Sequence, residues 1–391
     1  MINEIRKHLS EGIIPFWKGL RDDVYGGYYG YLDYNLELNK QAEKGCILNS
    51  RILWFFSSAY ILLKDESLLD EAKHAYDFMI KNCFDSENGG VFWSVTYDGK
   101  VLDSTKHTYN QAFAIYALSA YYEASKDELA LDRALKLFSI IETKCKDDKG
   151  YLEAGDISFC KTENDKLSEN GVMADRTMNT LLHVLEAYTA LYKVAENEKV
   201  KRALEDILDI FSEKIYNPKL HRQEVFFDDS YNSLIDLHSY GHDIESSWLV
   251  DLAVEAIDGP DHRWQKKIAP ITEDLARNIY ENAFDGHSLP NECERGVVDE
   301  KRVWWVQAET VVGFLNAYGK SGNTDEKYLD AAQKCLDFIF DNVIDKREGS
   351  EWYWAVDKDG MQIEGLPIVE PWKCPYHNGR MCIEIIKRME K

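Results

Sequence analysis

The chain has 391 residues, a formal net charge of −23 and 45% hydrophobic residues. An acidic surface repels nucleic-acid phosphates and anionic lipid, so neither is an expected partner, while the apolar fraction is ample for a large core. No run of about 18 apolar residues reads as a membrane span. The eight cysteines include no Cys-x-x-Cys pair and the start lacks a signal-peptide pattern, so a cytoplasmic protein with reduced thiols is expected.

In chain order, an amphipathic helix is predicted over Ile2 to Leu20. A Gly-Gly-aromatic segment, Gly26 to Tyr29, follows. The polar start Asn49-Ser50-Arg51 then opens a strongly apolar helix, Ile52 to Leu63. A charge-studded helix over Leu68 to Asn82 completes the pattern, which returns along the whole chain. Turn or hairpin markers fall at 26, 89, 150, 220, 286 and 349. Polar helix starts fall at 49, 110, 179, 242, 305 and 377, so both series step by 61 to 72 residues. Two of the turns are placed at Asp98-Gly99 and Asp359-Gly360. The amphipathic helices recur at Leu129 to Lys144, Lys199 to Ile215, Lys266 to Tyr280 and Lys327 to Asn342, and the chain ends on an apolar one, Met381 to Met389.

Helices apolar all round are buried, and helices with one charged face lie outside them. Six of each predict an all-α fold, an (α/α)6 barrel, with short hairpins or loops at one mouth. The alternative is an open helical solenoid. Closure is preferred because the helix starts carry His, Arg, Asn and Trp where ordinary caps would suffice. No linker interrupts the chain, so residues 1–391 read as one domain, expected to be a monomer.

The stretch His238-Ser-Tyr-Gly-His-Asp-Ile-Glu-Ser-Ser-Trp248 concentrates candidate chemistry. His238, His242 and Glu245 share a helix face, as do Asn179 with His183 and Trp305 with Glu309. With Arg51, Tyr109 and His377 they converge if all inner helices start at one mouth. Three chemistries fit. His238, His242 and Glu245 could ligate a metal, but His-Glu-x-x-His is absent. Glu245 and Glu309 could hydrolyse a glycosidic bond, which needs two carboxylates. Two imidazoles could move a proton at C2 of an open-chain sugar, with Arg51 or His183 stabilising the enediolate oxygen. The last uses most of the set and needs no cofactor or metal. Trp305 and Trp372 suit the apolar face of a sugar ring. Trp17, Trp54 and Trp93 are assigned to core or repeat contacts, and Trp304 is expected to point elsewhere. His8, His74, His221, His262 and His287 are expected at the surface or in loops, while His107 and His238 stay open.

Arg51-Ile-Leu-Trp-Phe, His238-Ser-Tyr-Gly-His-Asp-Ile-Glu, Arg302-Val-Trp-Trp-Val-Gln-Ala-Glu and Pro371-Trp-Lys-Cys-Pro-Tyr-His-Asn-Gly-Arg resemble the N-acylglucosamine 2-epimerase superfamily, essentially end to end. The resemblance implies an (α/α)6 barrel and cofactor-independent 2-epimerisation of the reducing-end glucose of a β-1,4-linked disaccharide such as cellobiose or lactose. It implies His242 and His377 as the acid/base pair at C2, with His183 aiding ring opening. It places Arg51, Tyr109 and Asn179 around O1 and O2, Glu245 and Glu309 as orienting carboxylates, and Trp305 and Trp372 as aromatic walls. Substrate rank is expected to depend on the loop from Asp156 to Gly171. Within the superfamily, N-acetylglucosamine epimerisation and mannose isomerisation are the nearest alternatives.

Overall fold

The computed structural model describes residues 2–163, 166 and 170–390. Among them twelve helices alternate between an inner and an outer ring. The inner helices are α2 (Cys46–Leu63), α4 (Thr108–Ser125), α6 (Met178–Ala195), α8 (Tyr240–Ile257), α10 (Trp304–Lys320) and α12 (His377–Met389). The outer helices are α1 (residues 2–19), α3 (66–83), α5 (Glu128–Lys144), α7 (198–215), α9 (Arg263–Asn282) and α11 (326–343). The predicted outer bounds differ from these by three residues at most.

The ring is closed. Each inner helix packs on the next, and α12 packs on α2 as well as on α10. This decides for the barrel over the solenoid. Burial follows the sequence pattern: in α2 every residue from Cys46 to Ala59 is buried. Helix α2 is also long and apolar enough to cross a membrane, but 72% of it is buried inside this structure. Its apolar character is that of a helix enclosed by neighbours on all sides.

The two kinds of connection differ, and the difference makes the mouth. From inner to outer helix the link is as short as two residues. Lys64, Lys126 and Glu196 take left-handed conformations, and Asp65, Asp127 and Asn197 cap the next helix through their side chains. From outer to inner helix the chain makes a long excursion with small antiparallel pairings, such as Ser94–Val95 with Val101–Asp103 and Leu237–Ser239 with Glu292–Glu294. The predicted turns at 98–99 and 359–360 are present. Gly99 and Gly360 have φ of 87° and 84°, and a Cβ on either would run into Asn82 or Asn342, the last turn of the preceding outer helix.

One repeated contact fixes where the inner helices begin. In four units a buried cation shortly before the helix start binds an acid just beyond the preceding outer helix: Lys44 to Asp22 (2.6 Å), Lys106 to Asp85 (2.9 Å), Arg176 to Asp147 (2.6 Å) and Arg302 to Asp285. Before α12, Lys373 binds Glu351 (2.9 Å) in the loop after α11, and before α8, His238 binds Asp243 (2.8 Å) of α8 itself. Two histidines depart from their surface assignment. His8 accepts a hydrogen bond from Trp352 Nε1 at 2.8 Å, and His74 bonds the Gly27 carbonyl at 3.0 Å.

Candidate active site

The first turns of the inner helices and the loops before them enclose a cavity of about 670 Å3. Nine of the ten predicted site residues line it: Arg51, Tyr109, Asn179, His183, His242, Glu245, Trp305, Trp372 and His377. The tenth, Glu309, stands behind His377. The volume lies within the range of roughly 300–1,000 Å3 usual for small-molecule sites.

Trp305 joins the two acid/base candidates. Its ring centre is 4.8 Å from that of His242 and 5.5 Å from that of His377. Gly241 allows this approach, because a Cβ there would fall 2.5 Å from the Trp305 ring. Each imidazole is held through Nδ1. In His377 it lies 2.8 Å from Glu309 Oε1, and in His242 it lies 2.7 Å from Ser239 Oγ. A carboxylate accepts only, so His377 carries its proton on Nδ1 and leaves Nε2 as a base. The Ser239 hydroxyl can donate or accept, so it supports His242 in either state. Burial pushes both histidines down, His242 to about 3, with the charges of Arg380 and Arg51 adding to the effect on His377. Both imidazoles are therefore neutral at neutral pH.

His183 Nδ1 lies 2.9 Å from Glu186 Oε2, and its ring sits 5.0 Å from the rings of Tyr109 and Phe113. Burial pushes Glu186 up, but Arg380, His183 and Tyr376 outweigh it and hold the carboxylate down at about 2. Arg51 is fixed by cation–π contact with Phe113 (4.2 Å) and Tyr376 (4.7 Å) and by donation to the Tyr109 hydroxyl (2.8 Å) and the Trp372 carbonyl (3.2 Å). Asn179 Oδ1 is buried without a partner at the cavity wall, ready for a ligand donor.

The sequence reading passed over three residues. Arg380 binds Glu309 at 2.7 Å and also Glu186, Glu245 and the Tyr376 hydroxyl. Glu186 and Tyr376 complete this cluster beneath the histidines. A signal was present: His183, His242 and His377 are each followed three residues later by Glu186, Glu245 and Arg380, one helical turn deeper on the same face.

Other expectations change. His238 turns to Asp243 and does not line the cavity, so it does not join His242 and Glu245 as a ligand set. Among the described residues, the groups close enough to share a metal are Glu245, Glu309 and His377, and there Arg380 already binds both carboxylates. Glu245 and Glu309 meet on one guanidinium nitrogen rather than facing each other across a bond, which disfavours the hydrolytic reading. Trp304, expected to point elsewhere, forms part of the cavity wall beside Trp354, at 4.3 Å between rings. His107 caps α4 by accepting from Tyr109 N, a positioning contact. In the loop 156–171, residues 164, 165 and 167–169 lie outside the described residues, whereas Lys166 and Asn170 line the cavity.

A closed helical barrel whose mouth presents three imidazoles, an arginine and tryptophans to a disaccharide-sized cavity is the setting of acid/base chemistry on a carbohydrate. Comparison with known proteins gives the family. The profile of N-acylglucosamine 2-epimerase (GlcNAc 2-epimerase) matches residues 27–378. The chain is 53% identical to the cellobiose 2-epimerase of Eubacterium cellulosolvens, over 99% of this chain and 98% of that one, and 51% identical to that of Ruminococcus albus, over 99% of each. The solved structure of cellobiose 2-epimerase from Bacillus thermoamylovorans superposes with a TM-score of 0.94 at 45% identity, covering 99% of each chain. The chain belongs to the N-acylglucosamine 2-epimerase family. A D-mannose isomerase (TM-score 0.84, 19% identity) and a GH76 α-mannanase (0.66, 13%) share the fold.

Proposed function

We propose that the protein is an isomerase that epimerises C2 of the reducing-end glucose of β-1,4-linked disaccharides, converting cellobiose to 4-O-β-D-glucosyl-D-mannose and accepting lactose. The observation that carries the reading is the pair His242 and His377, both held against the Trp305 ring in a cavity sized for two sugar units. The relatives above, named for cellobiose, supply the substrate.

The geometry suggests the steps. His183, backed by the ionised Glu186, assists ring opening by moving the proton of the anomeric hydroxyl towards the ring oxygen. In the open-chain aldose, the neutral His377 takes the C2 proton through Nε2. Its imidazolium is stabilised by Glu309 at Nδ1. The electron pair left on C2 flows into the carbonyl and gives a cis-enediolate. Arg51 and Tyr109 face the charged oxygens, a task worth about 3–4 kcal/mol for a well-placed donor. His242 takes up a proton from solvent as the enediolate charge develops and delivers it to the opposite face of C2, His377 releases the abstracted proton to solvent, and the sugar recloses. Both imidazoles are neutral before the reaction, so the developing negative charge of the enediolate is what favours their protonated forms. No cofactor enters the scheme. The closed ring supports a monomeric, single-domain protein, and eight free cysteines support a reducing, cytoplasmic setting.

The test is proton NMR of cellobiose with the protein in heavy water containing a chelator. The expected result is new mannose-type anomeric signals with deuterium at C2. Free glucose would replace the reading with hydrolysis, and a ketose as main product would replace it with isomerisation. His242→Ala and His377→Ala should each abolish turnover while the fold survives, since one acid/base group typically supplies about 10²–10⁴-fold.

A further inference from the structure

Beneath the histidines, three carboxyl groups share a single guanidinium. Glu186, Glu245 and Glu309 come from α6, α8 and α10, and Arg380 comes from α12. All four are at most 4% exposed. Glu245 Oε1 and Glu309 Oε1 accept from the same atom, Arg380 Nη2. They also lie 4.0 Å and 2.8 Å from the same His377 nitrogen. Two buried carboxylates this close cannot both ionise cheaply, because the second charge must overcome both desolvation and its neighbour.

The hydrogen bonds indicate which of the two holds the proton. Glu309 receives donors on both oxygens: His377 and Arg380 on Oε1, and Trp248 Nε1 at 3.1 Å on Oε2. Burial pushes the Glu309 carboxyl up, and these donors oppose the shift in favour of its anion. Glu245 receives donors on Oε1 alone. Its Oε2 is buried without any partner, although the residue forms part of the cavity wall. An unpartnered oxygen is costlier there on a charged carboxylate than on a neutral acid, whose O–H a ligand acceptor can then satisfy.

We propose that Glu245 is a neutral carboxylic acid in the working enzyme and that its Oε2–H donates a hydrogen bond to the oxyanion formed on the sugar. No proton leaves it during turnover. The donor role rests on the epimerase reading above, whereas the proton itself does not. The groups facing Glu245 are Glu309 on α10, Arg380, His377 and Tyr376 on α12, Glu186 and His183 on α6, Tyr109 on α4 and His242 on its own helix. Burial first, then the charge of Glu309, pushes the Glu245 carboxyl up to about 7, and Arg380 and His183 oppose the shift. Donors of this kind typically contribute about 10²–10³-fold to turnover.

The experiment pairs a spectrum with a mutant series. Infrared difference spectra of wild type minus Glu245→Gln, recorded without substrate, should show the carbonyl stretch of a protonated carboxyl at pH 6 that fades with a midpoint near the value above. Glu245→Gln, an uncharged donor, should keep epimerisation within about tenfold of wild type, while Glu245→Leu should lose about 10²–10³-fold. Circular dichroism melts establish that each variant is folded. An active wild type without the band, or a folded Gln variant as impaired as the Leu variant, overturns the proposal. A wild type that shows the band but exchanges no C2 hydrogen in any sugar overturns the epimerase reading, and the donor role with it, and leaves the proton assignment standing.

Discussion

Replacing Arg380 by methionine tests whether the buried charge cluster holds the barrel together. Methionine keeps much of the stem volume but removes the cation that binds Glu186, Glu245 and Glu309. Breaking a buried pair by deleting one partner typically costs about 3–5 kcal/mol. An independent route gives the same scale. Glu186 is held at about 2 against an ordinary 4.5, and at about 1.4 kcal/mol per pH unit that is worth about 3 kcal/mol. A depressed carboxyl contributes stability that is present above its unfolded value of 4.5 and is lost as pH falls towards 2. Without Arg380 the largest part of this contribution is lost, with His183 and Tyr376 still in place, and the stranded carboxylates take up protons as pH falls. The loss should therefore be largest near pH 8 and shrink towards pH 5. Urea unfolding of both proteins at the two pH values measures it. A loss below about 1 kcal/mol at pH 8, or an equal loss at both values, would refute the argument. Adding Glu186→Gln to the Arg380→Met variant should recover part of the loss at pH 8, because Glu186 is the carboxylate that Arg380 holds ionised.

Two further substitutions address the histidines. Glu309→Gln replaces the anionic acceptor at His377 Nδ1 with a neutral amide, so kcat should fall by about 10²–10⁴-fold with little change in KM; a loss under tenfold would show that Glu309 does not set the His377 proton. Gly241→Ala puts a methyl group 2.5 Å from the Trp305 ring, which should cost about 1–3 kcal/mol in thermal unfolding and impair turnover by moving the indole that His242 and His377 both contact. Gly319→Ala, in the same barrel with nothing within 4 Å of the new Cβ, should be neutral or slightly stabilising and serves as the control.

The inner and outer helices were legible because burial imposes opposite patterns on them. Val311 to Tyr318 is nearly uncharged, whereas Lys327 to Asn342 alternates charged and apolar residues at helical spacing. The wall residues were legible because His242, His377 and Arg51 sit in the first turns, where polar side chains stand out against an apolar helix. The layer below them was not. Glu186 reads as an ordinary helix glutamate until Arg380, 194 residues later, is brought against it. Trp304 was assigned away from the cavity on helical spacing alone, yet it reaches the wall because Trp354, from a neighbouring loop, packs against it there. Contacts of this kind depend on loop paths, and local periodicity says nothing about those.

Ring closure and site assembly are one event in this fold. Helix α12 closes the barrel by docking between α10 and α2, and it carries both His377 and Arg380. On one side His377 meets Glu309 of α10. On the other, Arg51 of α2 reaches the Trp372 carbonyl just before α12. Through Arg380 the same helix also ties in Glu186 of α6 and Glu245 of α8. In an open array of the same helices, α2 and α12 would lie at opposite ends, and both the acid/base pair and its charge balance would be missing. The strong buried network therefore does two jobs with one set of residues. It holds the closing helix in register, and it delivers a base with a defined proton position to the mouth. The two sets of contacts are separate in the chain: the site side chains sit in the first two turns of the inner helices, whereas the cations of the repeated acid–cation pairs come just before those helices begin.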